Sequence, residues 1–318
     1  MRATLGDKCN SAVAELVLDG VLEIGREGRF VCGSEAYDLI YGERPAGEAK
    51  GSLAQLTRAA LEYAQALDID ESARLSARLY FYNRLPLSLR WKRRFPGPDA
   101  VAAYLGIEGG SANRRLLEGR WTRMKLSPPF EGWFQWESRT SRLPEAESRQ
   151  GYKLYVSPHP EFVRDAFHVV LDLLPGLSAH HFKIGNDAAG LLRPDKIVIY
   201  FWKFEELQAA AKQIEERLVG CPAQPVPFTA GISSQDEGLL SWGIDPPREK
   251  GALAWQERES WRLWITNRLA TALLTAKRAQ TAGIEPWRFA LERLRLEHID
   301  TETWTPLTSF RRPAMVEE

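Results

Sequence analysis

Long apolar runs are missing from this 318-residue chain. No stretch reaches the roughly 18 consecutive apolar residues that a membrane-spanning helix needs, so no membrane partner is expected. The first residues, MRATLGDKCNSAVAEL, lack the apolar core of a secretory signal, and a cytoplasmic location is the expectation. Cysteine is scarce. Cys9, Cys32 and Cys221 are odd in number, widely separated and without nearby Cys or His, which argues against a disulfide framework or a zinc site. Neither sign of charge is in excess. Lys plus Arg and Asp plus Glu both total 42, which argues against a dedicated nucleic-acid binder while allowing local basic patches. Sequence signatures are absent too. There is no G-x-S-x-G elbow, no phosphate-binding G-x-x-x-x-G-K-[ST] loop, no G-x-G-x-x-G fingerprint and no kinase H-R-D or D-F-G. The 5 His residues show no H-x-x-x-H spacing, and the pair His180–His181 is expected to point to opposite faces of a strand. Neither a metal nor a cofactor is expected.

The chain is long enough for a large core and for two or more subdomains. Its 11 Trp residues suggest several aromatic clusters. The pattern of elements predicts an α+β fold, a central mixed β-sheet flanked by helices, with helical additions at both ends. Residues 1–105 read as a mostly helical module with a small hairpin, 106–250 as the α+β core, and 251–318 as a C-terminal helical segment. Within the first part, SAVAELVLDG reads as a helix and VLEIGREGRFVCG as a hairpin about the turn REG. That pairing suits a winged-helix-like module touching DNA or a plain packing appendage. RPAGEAKGS is a connection, and residues 53–67 have helical apolar spacing. YFYN near residue 81 has strand character, and PDAVAAYLGI is a short helix. TRMKL and GWFQWES are strands separated by Pro128-Pro129, and LPEAESRQG is a loop. FEELQAAAKQIEERLVG is an amphipathic helix ending at Gly220. VPFTAGI and GLLSWGI are short strands around the turn SSQDEG. A long helix from Trp255, with Trp261, Trp264 and Leu269 inward, offers a core or homodimer face, and a second helix starts near Pro286.

The stretch from Tyr152 to Tyr200 carries the chemistry. YKLYVSPHP, SAHHFKIGND and LLRPDKIVIYF read as strands, and EFVRDAFHVVLDLLPGL between the first two reads as a helix, a unit able to form a parallel crossover. Strand side chains repeat every two residues, so Lys153 shares a face with Tyr155, and His181 with Lys183. Arg193 and Lys196 precede the next strand. Four cations and a phenol converging on one end of a sheet suit a phosphate monoester, which carries nearly two charges and three acceptor oxygens. Arg193 offers a planar fork, and a Lys a point charge. A second Lys in this crowd loses its proton more easily and can serve as a general base. Base, clamp and proton-donating phenol are the parts that β-elimination from phosphoserine or phosphothreonine requires. The competing readings are ordinary ones: Lys153 and Lys183 as lysines guarding an edge strand, Arg193 as a loop cap, and Tyr155 and His181 as core or surface residues. The run LRWKRRFPGP, with Arg90, Lys92, Arg93 and Arg94 beside Trp91 and Phe95, could grip a phosphorylated or acidic peptide, or lie as a solvated surface.

YKLYVS, HFKIGND and LLRPDKIVIYF, in this order, resemble the K-x-H/Y strand, the F-K strand and the following cationic strand of phosphothreonine lyases. That family occurs in bacterial type III effectors and in the lyase parts of lanthipeptide synthetases. The pair VPFTAGI and GLLSWGI resembles the Hop-A-type effector-like branch, which acts beside a separate kinase-like protein in bacterial clusters for peptide natural products. The likeness spans roughly residues 130–250. It implies a metal-free lyase that dehydrates a phosphorylated peptide alongside a kinase, with a non-catalytic phosphopeptide or leader-peptide binding module as the other reading. It also implies Lys183 as general base and Lys153 and Arg193 as phosphate ligands, with Lys196 in reserve. Where the family often carries a His two residues after the first Lys, this chain has Tyr155. The acid is then Tyr155 or His181, or is dispensable. Arg123, Arg139 and Arg142 are candidates for a further clamp residue.

Overall fold

The computed structural model describes residues 11–26, 28–36, 39–40, 51–125, 132–140, 151–232, 238–246, 259–279 and 284–306. The expected turns REG and SSQDEG, the connection RPAGEAKGS, Pro128-Pro129, most of LPEAESRQG, and Cys9, Arg142 and Trp255 lie wholly or partly outside them. The chain divides into two compact units. One draws on residues 1–50, 54–82 and 246–318, and the other on 51–53 and 83–245. The expected boundaries fell at 105 and 250. Residues 83–105 instead group with the sheet, and both ends of the chain contribute to one unit.

In the first unit, α1 (Ser11–Leu18) precedes a hairpin of β1 (Ile24–Arg26) and β2 (Arg29–Val31). Then come α2 (Ser52–Ala66) and α3 (Ser72–Tyr80). The strand expected over YFYN does not form: Tyr80 ends α3, whose Leu75, Ser76 and Leu79 are buried together, and residues 81–83 make a turn.

In the second unit, the basic run forms α4 (Leu89–Arg94), followed by α5 (Pro98–Leu105) and α6 (Ala112–Arg120). Ser111 caps α6 by accepting the Arg114 amide at 3.2 Å. The strands are β3 (Trp121–Arg123), β4 (Trp133–Ser138), β5 (Tyr152–Val156), β6 (His181–Gly185), β7 (Ile197–Phe201), β8 (Ala230–Gly231) and β9 (Leu240–Ile244). Between them lie α7 (Val163–Leu173), α8 (Ala188–Leu191) and α9 (Phe204–Arg217). The sheet runs β3-β4-β6-β7-β5-β9-β8, and every pairing is antiparallel. The α+β architecture stands. The mixed character expected from strand–helix–strand survives only in direction: β5 and β6 run the same way, but β7 is inserted between them and pairs with both.

Alternation divides the sheet into two faces. Leu154, Val156, Phe182, Ile184, Ile197, Ile199 and Phe201 form one core with Phe167 and Val170 of α7 and Leu207 and Ile214 of α9. The opposite face carries the polar residues. One end of it is covered by residues 222–229, a strap in which Val226 and Phe228 are fully buried. The Gln224 amide donates to the Ser157 carbonyl at 2.8 Å, and Nδ2 of Asn83 to the Pro225 carbonyl at 2.8 Å. At the same end of the sheet, where β6 finishes, Gly185 faces Gly190 of α8 so closely that a Cβ on Gly185 would lie 2.5 Å from the Gly190 carbonyl carbon.

The first unit closes with α10 (Trp261–Ala279), which packs on α3 and on α11 (Pro286–Leu296), and with the small pair β10 (Ile299–Asp300) and β11 (Thr305–Pro306). Trp261, Trp264 and Leu269 are buried, as their spacing predicts.

Because the Gly185–Gly190 contact is backbone on backbone, Gly185→Ala should lower unfolding stability by about 1–3 kcal/mol. Denaturant melts compared with the exposed control Gly119→Ala would check this; equal midpoints would contradict it.

Candidate active site on the polar face of the sheet

The strand registers set the site out as a grid. Glu137, His181, Tyr200, Lys153 and Gly243 stand abreast across β4, β6, β7, β5 and β9. Gln135, Lys183, Val198, Tyr155 and Ser241 form the next row. Lys153 and Lys183 are therefore not neighbours, because β7 separates their strands by two spacings of about 4.8 Å. What joins them is Tyr200, which the sequence reading did not single out. The ammonium of Lys153 lies 5.8 Å from the centre of the Tyr200 ring and that of Lys183 lies 5.9 Å from it. His181 stacks on the same ring at 4.6 Å and 17°.

The cations differ in their partners. Lys153 is buried and pairs with Asp245 through Nζ–Oδ1 at 2.5 Å. Asp245 follows β9. Its amide donates to the Gly151 carbonyl at 2.8 Å, and its carboxylate occupies the space where a side chain on Gly151 would stand. Arg193, in the loop after α8, makes a two-pronged pair with Asp195, Nε to Oδ1 and Nη2 to Oδ2, each at 2.8 Å. Lys183 is half-buried and has no hydrogen-bond or ion-pair partner among the described residues. Its amine sits 4.2 Å from the centre of the Trp133 ring, and the Arg193 guanidinium lies 5.0 Å from that centre. Indole and phenol faces attract a cation, but less than a carboxylate does. Burial, together with the nearby charges of Arg193 and Lys153, pushes the Lys183 amine down to about 7, while Asp195 acts in the opposite direction.

Burial is also the main cause that pushes His181 down to about 3 and His180 to about 4; the charges of Lys183 and Lys153 add to it for His181, and Asp245 opposes it for His180. Both imidazoles are thus neutral near pH 7. The expected opposite orientation of the pair fails, because His180 precedes β6 and escapes its alternation. It stacks on Trp202 at 3.9 Å and 9°, and its ring centre lies 6.2 Å from that of Tyr200.

The remaining candidates lie elsewhere. Lys196 is fully buried and donates to the Pro158 carbonyl at 2.7 Å and to Oε1 of Gln224 at 2.8 Å. Nε2 of Gln224 continues to the carbonyls of Asn83 and Leu192. Lys196 thereby ties the strap to β7. Tyr155 is on the polar face but packs against Val198 and Val226 beneath the strap. Arg123 stands abreast of Trp136, whose side chain is in the core, and Arg139 donates to Thr122 Oγ1 at 3.2 Å. In the basic run, Arg90 and Arg94 both bind Glu161 at 2.9 Å, and Arg94 lies over Tyr104 at 5.0 Å. Lys92 and Arg93 are exposed there. Among the described residues no group of acidic, His or Cys side chains could hold a metal ion, and no helix is long and apolar enough to cross a membrane.

These charges make a sign-specific expectation. Removing Asp195 (Asp195→Asn) should lower the Lys183 value further, and removing the Lys153 charge (Lys153→Met) should raise it. NMR titration of side-chain-labelled lysine would follow both, and shifts in the reverse direction would contradict the assignment.

No family model matches the chain, and no curated protein matches it. Among solved structures the chain is similar to an effector protein from Pseudomonas syringae pathovar tomato. The identity is 11%, the TM-score is 0.49, and 82% of this chain and 99% of that chain are covered. It is similar also to an effector protein from Pseudomonas syringae pathovar syringae, at 12% identity and a TM-score of 0.49, covering 79% of this chain and 97% of that one. A phosphothreonine lyase aligns at 11% identity and a TM-score of 0.35, over 65% of this chain and 98% of its own.

Proposed function

We propose that the chain eliminates phosphate from a phosphoserine or phosphothreonine residue of a peptide, leaving a dehydroamino acid. The observation that carries this reading is the amine of Lys183. It has no carboxylate partner among the described residues, is held near neutrality by its surroundings, and stands beside two further cations that suit a phosphate. Lys183 in its neutral form takes the α-proton. The electrons of that C–H bond form the Cα–Cβ double bond, and the Cβ–O bond breaks toward phosphate. Lys153 and Arg193 hold the phosphoryl oxygens, which must compete with Asp245 and Asp195 for them. The departing oxygen gains a proton from a phenol of the same face. Tyr200, flanked by both ammoniums, is better placed for this than Tyr155 beneath the strap. His181, neutral near pH 7, orients Tyr200 by stacking. The phosphorylated peptide would be supplied by a separate kinase, in keeping with the lanthipeptide-type setting that the sequence resemblance implies, and Lys92 and Arg93 are the exposed cations left to meet an acidic peptide.

Incubation with a phosphoserine peptide, followed by mass spectrometry, should show loss of phosphoric acid rather than of the phosphoryl group alone. Lys183→Ala should lower the rate by roughly 10²–10⁴-fold, the usual worth of a general base. The base works only unprotonated, so kcat/KM should rise as pH increases through about 7 and then level off. A peptide that is bound but unchanged at high protein concentration would overturn elimination and favour the phosphopeptide-binding module.

A further inference from the structure

The strap closes the polar face on one side, and on the other the face extends beyond β6 and β7. Toward the strap, Tyr155 and Val226 are buried together. Past His181 and Tyr200 the face continues into His180 and Trp202, two half-buried stacked rings. Here Nε2 of His180, Nε2 of His181 and Nε1 of Trp202 are all shut from solvent with no hydrogen-bond partner among the described residues. Three unmade hydrogen bonds side by side are costly in a folded protein, and such a concentration points to a bound group. The chemistry of that partner follows from the groups. An indole N–H only donates, and a neutral imidazole donates one hydrogen bond and accepts another. None carries a charge near pH 7, so the cluster suits an uncharged amide rather than a second anion. Its position fits as well. An extended peptide advances about 3.3 Å per residue, so a chain whose phosphoryl group rests among Lys153, Lys183 and Arg193 passes next over the row beside His181 and Tyr200.

We propose that His180 and Trp202 form a peptide-backbone subsite adjoining the phosphate clamp, which binds an amide next to the phosphorylated residue. This rests on the reading of the cations as a phosphate clamp. The site would then favour peptides over free phosphoamino acids, with the peptide leaving the clamp on the side away from the strap.

Two conservative variants test it. Trp202→Phe keeps a ring and removes the N–H; His180→Phe keeps the stack and removes both nitrogens. Calorimetry would use two probes: inorganic phosphate, and a blocked peptide carrying the phosphonate isostere of phosphoserine, whose bridging carbon prevents elimination. Each variant should weaken the peptide roughly five- to tenfold, the worth of one hydrogen bond, and change the affinity for phosphate by less than about twofold. Unchanged peptide affinity would overturn the subsite and leave the clamp standing. An equal loss for both probes would also overturn it, since it marks collapse of the site. A wild-type protein that binds neither probe would overturn both the subsite and the clamp.

Discussion

Everything at this site depends on the alternation of side chains along β5, β6 and β7. On one face these strands bury seven large apolar side chains against α7 and α9. Each contributes about 1.5–3 kcal/mol when removed from water. On the other face the same strands hold cations that repel one another. The repulsion is tolerated because the backbone bearing the cations is fixed from behind by the core. A register slip of one residue would exchange the faces, placing Lys153 and Lys183 in the core and Leu154 and Phe182 at the site, so the apolar pattern that folds the sheet also aims the chemistry.

Within that frame the cations are treated unequally. Arg193 and Lys153 each have a carboxylate, which holds them in position. Among the described residues Lys183 meets aromatic rings instead, and it is pushed toward neutrality. The protein thereby separates clamp from base using residues of the same chemical kind. Lys196 shows the opposite use of a lysine. It too is pushed down to about 7 by burial, but a carbonyl and a glutamine occupy its amine, so it works as an internal strut for the strap. A lowered amine is therefore not sufficient to mark a base; access and freedom from partners decide.

Much of this was legible in the sequence. The pairing of Lys153 with Tyr155 and of His181 with Lys183 on common faces follows from period-two spacing alone. The helices over 163–173, 204–217 and 286–296 carry their apolar stripes openly. What spacing does not contain is strand order. The insertion of β7 between β5 and β6 places Tyr200 at the centre and moves Tyr155 away from Lys183. Asp245 joins Lys153 only through the pairing of β9 with β5, a long-range contact without local signature. His180 lies one residue outside its strand, where alternation no longer applies. The run YFYN carries strand-forming aromatics, but the buried face of the preceding residues makes Ser72–Tyr80 a helix.

The central claim is that a neutral lysine amine on this face removes an α-proton from a phosphorylated residue. A phosphoserine peptide deuterated at the α-carbon tests it most directly. If Lys183 breaks that bond, deuteration should slow phosphate release, and the product should contain a dehydroalanine without the label. Phosphate release at an unchanged rate, with intact serine still bearing its deuterium, would mean hydrolysis and would contradict the account.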